Sequence, residues 1–132
     1  MTTPYIDDLA LESKNNEAIS EIITLRENLN PDPEGIPDIR PVNLTGRQFF
    51  AQARSGKSKD ADLLCEISVT IYGDPLNGQL HFYVSEDVMQ GVAAIKGHYD
   101  VLTRVSADAP IDNLYQAPFN VGAGITDATQ WM

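Results

Sequence analysis

The chain has 132 residues, of which 42% are hydrophobic, and its formal net charge is −10 from 19 acidic and 9 basic residues. This charge argues against nucleic-acid binding, which depends on Lys and Arg neutralising phosphates, and against attachment to an anionic membrane surface. The length suits one domain and the hydrophobic content suffices for a core, which excludes a wholly disordered chain.

The first 18 residues are predicted to form an arm outside the domain. Their apolar residues are few, namely Tyr5, Ile6, Leu9 and Leu11, and they sustain no regular period. Two interpretations stay open: a disordered tail, or an arm that orders against a partner. The segment has no basic start followed by an apolar run, so it predicts synthesis without a signal peptide.

The first half of the domain is predicted to contain two strands on either side of a long loop. Residues 19–26 are rich in Ile and Thr, which favours a strand. Residues 27–41 contain four prolines and are expected to run over the surface, because proline removes an amide donor. Residues 47–54 form the second strand, with two alternating sets of side chains. One set is Phe49, Ala51 and Ala53, and the other is Phe50, Gln52 and Arg54.

The middle of the chain predicts a hairpin. Residues 63–72 alternate most clearly, with one face apolar (Cys65, Ile67, Val69, Ile71) and the other polar. That alternation is typical of a half-buried antiparallel strand. Residues 73–78 have turn chemistry, including an Asn-Gly pair, and residues 79–84 form the returning strand.

The last third predicts one short helix and two further strands. Ser85 is a helix N-cap followed by acidic residues, and residues 88–95 suit a short helix that Gly91 weakens. Residues 98–105 and 114–121 form the closing strands. With six or seven strands and no strand–helix alternation, the pattern favours an antiparallel β-sandwich.

The histidines and glycine motifs predict no catalytic centre. His81 lies out of phase with the apolar residues of its strand, and His98 precedes one, so both are expected at the surface. A nucleophile elbow is absent from the sequence. Gly56-Lys57-Ser58 resembles the end of a phosphate-binding loop, but Ala51 occupies the position of the required first glycine.

Metal and thiol chemistry are not predicted either. Asp60 and Asp62 are expected to be solvated residues of a turn, because no twelve-residue calcium loop surrounds them. The single cysteine, Cys65, lies on an apolar strand face and is expected to be buried and unreactive. It also excludes an intrachain disulfide, which agrees with synthesis in a reducing cytoplasm.

The aromatic residues leave a second function open. Tyr72, Tyr83, Tyr115 and Trp131 are able to stack on sugars if the fold brings them together. Such residues also serve as core edges or as protein contacts.

A recurring order of motifs runs from about Ser20 to Thr126. The motifs are Ile23-Thr24-Leu25, Pro41-Val42-Asn43-Leu44-Thr45-Gly46, Phe49-x-Ala51-x-Ala53-Arg54, Ile67-Ser68-Val69-Thr70-Ile71, Asn77-Gly78-Gln79-Leu80, Ser85-Glu86-Asp87, Gly97-His98-Tyr99-Asp100-Val101 and Val121-x-x-Gly124-Ile125-Thr126. In this order the chain resembles the N-terminal domain of tailed-phage upper baseplate proteins and its small virion relatives. It departs from them at Asn43 and Ala53, and its loop at residues 27–41 is longer.

The resemblance implies an all-β, immunoglobulin-like antiparallel β-sandwich that builds virus particles and carries no catalytic residues. Together with the residue pattern it predicts one short helix and three regions: an extended N-terminal assembly arm at residues 1–18, the sandwich at 19–126 and a tail at 127–132. Contacts with partners are expected at Tyr5, Ile6, Leu9, Leu11, Trp131 and Met132.

The function that follows is that of a bacteriophage structural protein. It would be an adaptor or accessory subunit of the tail, baseplate or neck, or a capsid decoration subunit, made in the host cytoplasm and located in the virion. Its expected partners are other virion proteins and further copies in a symmetric homo-oligomer, with no nucleic acid, membrane, cofactor or metal. The alternative is a carbohydrate-binding module that contacts the host cell surface.

Overall fold

The computed structural model describes residues 9–125. Within that range the chain forms nine strands, one α-helix and one 3₁₀ turn. They are β1 (Leu11–Lys14), β2 (Ile19–Thr24), β3 (Arg26–Asn28), β4 (Ile39–Pro41), β5 (Gln48–Arg54), β6 (Leu63–Ile71), the 3₁₀ turn (Pro75–Asn77), β7 (Gln79–Val84), α1 (Glu86–Gln90), β8 (Ile95–Arg104) and β9 (Asp112–Gly122).

Seven of these strands form one sheet in the order β1-β9-β8-β5-β6-β7-β2, and β3 and β4 form a separate two-stranded ribbon. Every neighbouring pair in the sheet is antiparallel except β1 and β9, which are parallel. The edge strands β1 and β2 contact each other, so the sheet curls into a nearly closed, mixed barrel.

The prediction of a mostly β domain with one short helix is confirmed. The predicted arrangement of a sandwich with only antiparallel strands is not seen. Strand β6 pairs with β5 over Leu63–Ile67 and with β7 over Ser68–Ile71, so one strand carries the sheet around the bend. Because β6 belongs to both halves, the strands do not separate into two clear layers.

Alternation along the strands places the core as the sequence predicts. In β6, Cys65 and Ile67 are buried whereas Glu66 is exposed. In β7, Leu80, Phe82 and Val84 are buried. The centre of the barrel is filled by aromatic rings in edge-to-face contact, with Tyr99 packed 6.0 Å from Phe82 and 6.5 Å from Phe119 between ring centroids. Val105, the last residue of the predicted strand 98–105, lies beyond the end of β8 and is exposed.

Part of the predicted arm belongs to the sheet. Leu11–Lys14 is β1, and its ladder with β9 joins Leu11 to Phe119 and Lys14 to Gly122. The turn that follows is held by Asn15, whose backbone N–H donates to Gly122 O at 3.0 Å and whose side-chain amide donates to Val92 O at 3.2 Å. Residues 1–8 and 126–132 lie outside the described range, so the predicted contacts at Tyr5, Ile6, Trp131 and Met132 lie there too.

The connections between strands follow local chemistry. The Ser85 hydroxyl accepts from Val88 N at 3.3 Å and starts α1, which Gly91 ends at Gln90, so the helix is shorter than predicted. Gly78 has a φ of 68°, and a Cβ there would lie 2.6 Å from Leu25 O, so only glycine suits this position. The proline-rich loop of residues 27–41 carries the ribbon of β3 and β4 at its two ends.

Candidate interaction surface

The two described residues of the predicted contact set face inward. Leu11 is 1% exposed and packs in the core of its own chain, and Leu9 is partly buried against the same core. In this fold Leu11 therefore offers no surface to a partner. The sequence of a four-residue strand does not show which of its side chains will be buried. For β1 this is decided by its pairing with β9, which is distant in the chain.

A buried tyrosine pair anchors the chain just before β1. Tyr99 Oη donates to the Leu9 carbonyl and lies 3.0 Å from Tyr115 Oη. Burial raises the pKa of Tyr115 above its usual value, and the neighbouring Tyr99 raises it further. Tyr115 thus stays protonated and serves the core. Since it is buried, the predicted sugar platform does not include it.

The groups considered for catalysis are separated in the structure. His81 Nε2 bonds Ser20 Oγ at 2.8 Å on the outer face of the sheet, and His98 lies on the outer face of β8. Cys65 is 6% exposed, as predicted, and burial raises the pKa of its thiol to about 11. Among residues 9–125, no group of three or more His, Cys, Asp and Glu side chains is placed to hold a metal ion.

A basic pocket lies between the loop after β5 and the outer face of β8. Arg54, Lys57 and Lys59 line it together with His98 and Asp100. Two of these groups are already engaged, because Arg54 Nη1 donates to Ala61 O at 3.0 Å and Asp100 accepts from an asparagine amide. The Gly56-Lys57-Ser58 motif lies in this loop as a polar turn.

The outer face of β5 and β8 carries an apolar hollow, which we call the Phe50 pocket. It has a volume of about 280 Å³ and is lined by Gln48, Phe49, Phe50, Leu102, Thr103, Arg104 and Ile111. Phe50 lies opposite Leu102 in the ladder and is 49% exposed. Arg104 Nε donates to Gln48 Oε1 at 2.8 Å, which holds the guanidinium at the rim.

A shallow groove continues on the other side of Phe50, where β6 changes partner. The side chains of Phe50, Tyr83 and Val88 line it with Glu66 and Ser68. The ladder pairs Ser68 with Tyr83, so the ring of Tyr83 and that of Phe50 stand on either side of a small polar residue. Phe50 therefore forms a ridge between two depressions.

The loop between β3 and β4, residues 29–38, projects as a hairpin that we call the finger. Leu29 N donates to Asp38 O at 2.9 Å across its base. Ile36 is 87% exposed within it. A single exposed apolar residue is common on protein surfaces, so what sets Ile36 apart is its nearly complete exposure on a hydrogen-bonded loop.

Sequence reasoning missed these exposed residues as sites, although signals existed. The alternation of residues 47–54 sets Phe50 on the opposite face from Ala51 and Ala53, and an aromatic residue on the outer face is such a signal. For Ile36 the signal is a bulky apolar residue between Gly35 and Pro37, in a loop made mostly of polar residues and prolines.

The chain was compared with protein-family models and with curated proteins. No family model matches the chain, and no curated protein matches it. Within residues 9–125, helices of the length and hydrophobicity needed to cross a membrane are absent.

Proposed function

We propose that this chain is a structural protein of a bacteriophage particle that acts through protein–protein contacts. It would serve as an adaptor or accessory subunit of the tail, baseplate or neck, or as a capsid decoration subunit. The observation that carries the proposal is the Phe50 surface, meaning the Phe50 pocket together with the groove beside it. The reason for proposing a phage particle is that the order of motifs in the chain resembles that of the upper baseplate family.

A soluble monomer gains nothing from exposing a cluster of large apolar side chains. Phe50 and Ile111, which line the same pocket, are 49% and 61% exposed, and Tyr83 on the far side of the groove is 44% exposed. Apolar side chains clustered on a rigid sheet favour association, since burying each of them removes apolar area from water. The net charge of −10 opposes nonspecific clumping of free copies, which suits a subunit that must remain soluble until assembly.

The finer fold belongs to the same proposal. We infer that the nearly closed sheet is a form of the immunoglobulin-like sandwich in which β6 is shared by both halves. The edges at β1 and β2 would then be the places where other domains of this kind leave a sandwich open. A solved structure of a virion protein with the same strand order would support this relationship.

The test is complementation of particle assembly. In a phage whose copy of this gene is deleted, the wild-type chain should restore infectious particles and be found in them by mass spectrometry. Phe50→Ser should fold but fail to enter particles, whereas Leu76→Ser, at a 59% exposed residue away from the Phe50 surface, should enter normally. Normal entry of the Phe50 variant, or absence of the wild-type chain from the particles, would contradict the proposal.

The second candidate function is carbohydrate binding, and the groove beside Phe50 is the observation that favours it. Phe50 and Tyr83 provide aromatic faces, while Glu66 and Ser68 provide polar groups between them. Aromatic faces beside hydrogen-bonding groups are the arrangement in which sugars stack. Calorimetric titration with cell-wall saccharides should show heat that Tyr83→Ala abolishes, and no heat with any saccharide would remove this candidate.

A further inference from the structure

The finger is ordered by its own hydrogen bonds. Asn28 Oδ1 accepts from Asp38 N at 3.0 Å, and Asn30 Nδ2 donates to Ile36 O at 2.7 Å. A Cβ at Gly35 would stand 2.6 Å from Asn30 Nδ2, so any other residue there would displace this amide from its bond to Ile36 O. The finger also contains three prolines. A loop stiffened in this way loses little conformational entropy when it binds.

Ile36 is the apolar point of this rigid loop. It is 87% exposed, and its chain neighbours are Gly35 and Pro37, so no long side chain next to it in the sequence covers it. An anchor residue that enters a pocket on a partner needs this combination of exposure and rigidity.

The Phe50 pocket has the size and surface to receive such an anchor. An apolar cavity of about 150 Å³ already holds a molecule the size of benzene. The Phe50 pocket has about 280 Å³, and its walls include the side chains of Phe50, Leu102 and Ile111. Residues of the finger are not among those that line it, so in this fold the finger of the same chain leaves the pocket open.

The charges around the two features are complementary. The finger carries Asp32, Glu34 and Asp38 and no basic residue, and Asp38 is already paired with Arg40 of β4 at 3.0 Å. The lining of the Phe50 pocket carries Arg104 and no acidic residue. In a chain of net charge −10, two identical copies repel each other at most orientations, so a basic rim facing an acidic loop selects one orientation.

We propose that the finger of one copy inserts Ile36 into the Phe50 pocket of a second copy, with Arg104 beside the carboxylates of Asp32 and Glu34. The finger and the pocket share no residue, so the contact is head-to-tail. A head-to-tail contact repeated along successive copies closes into a ring or extends as a filament. This inference rests on the proposed function, for which it identifies the contact between copies.

The test measures self-association of the purified full-length chain by sedimentation velocity, from about 1 µM to about 1 mM in 0.15 M salt. The wild-type chain should form species larger than a dimer. Ile36→Asp and Phe50→Asp should each weaken association at least tenfold, while Leu76→Asp, at another exposed apolar residue, should associate as the wild type does. Circular dichroism should show all variants folded, since each substituted side chain is exposed.

Mixing the two variants distinguishes this contact from others. A 1:1 mixture of Ile36→Asp and Phe50→Asp retains one intact finger and one intact pocket, so it should form dimers and nothing larger. Mixtures that stay monomeric while the wild type assembles would overturn the proposal, and so would a wild type that is monomeric throughout the range. Glu34→Arg should weaken association, and adding Arg104→Glu should restore it; failure of the restoration would refute the stated orientation.

These measurements use no phage component. Self-association through finger and pocket without entry into particles would refute the proposed function and keep this contact. Entry into particles by a chain that shows no self-association would do the reverse.

Discussion

Replacing Leu11 with Ala tests whether the segment before the first predicted strand is part of the fold. Leu11 is 1% exposed and lies opposite Phe119 in the ladder of β1 with β9. Buried Leu→Ala substitutions cost about 2–5 kcal/mol, from lost burial and from the cavity that remains. Because Leu11 is fully buried in the core, we expect a loss of about 2–5 kcal/mol of unfolding free energy.

The matched control is Glu12→Ala, on the next residue of the same strand. Glu12 is exposed, and among the described residues its side chain accepts from the Asn120 amide at 3.5 Å. That change should alter stability by less than about 0.5 kcal/mol. Urea unfolding followed by fluorescence measures the stability of both variants. An unchanged slope of the unfolding free energy against urea concentration shows that unfolding exposes the same surface in each. Equal urea midpoints for the two variants would refute the packing of β1 and would indicate that Leu11 belongs to an arm outside the fold.

Four further outcomes follow from the described residues. Removal of residues 1–8 should leave the urea midpoint within about 0.5 kcal/mol of the intact chain, since every described strand remains, whereas removal of residues 1–18 takes β1 with it and should prevent stable folding. The thiol of Cys65, with its pKa raised from 9.0 to about 11, should be about 0.1% ionised at pH 8 and react slowly with a disulfide reagent until urea unfolds the chain. Because the unfolded thiol ionises first, this group's stabilising contribution is complete below pH 9 and falls as the pH rises from 9 to about 11; a Cys65→Ala variant with the same slope over that range would contradict this assignment. Gly97→Ala should destabilise the chain strongly in thermal melts, because its Cβ would lie 2.5 Å from Arg54 O, while Gly122→Ala, with its nearest neighbour at 3.8 Å, should melt like the parent chain.

Local patterns in the sequence predicted the elements that depend on neighbours along the chain. The alternation in β6 and β7 identified their buried faces, and Ser85 marked the start of α1. The buried state of Cys65 followed from the same alternation. These features were predictable because a strand has a period of two residues and a helix cap acts within one turn.

The candidate site was predicted less well than the fold. Of the expected contact residues, Leu11 lies in the core and Leu9 is partly buried against it. The exposed apolar residues that form a surface instead are Phe50, Ile111 and Ile36, from three separate parts of the chain. Isolated apolar residues in a sequence do not reveal whether the fold will cover them, because covering requires contact with a distant element.

The sequence by itself determined six of the strands, β2 and β5 to β9, which faces of β6 and β7 are apolar, and where the turns between these strands must lie. Strands β1, β3 and β4 were not predicted. The tertiary structure alone decided that β6 divides its ladder between β5 and β7, and that β1 joins β9 in parallel. The reason is physical: a side chain's face is set by the period of its own strand, whereas a strand's partner is set by which distant apolar faces pack together. That second choice placed Leu11 inside the barrel and left Phe50 outside it.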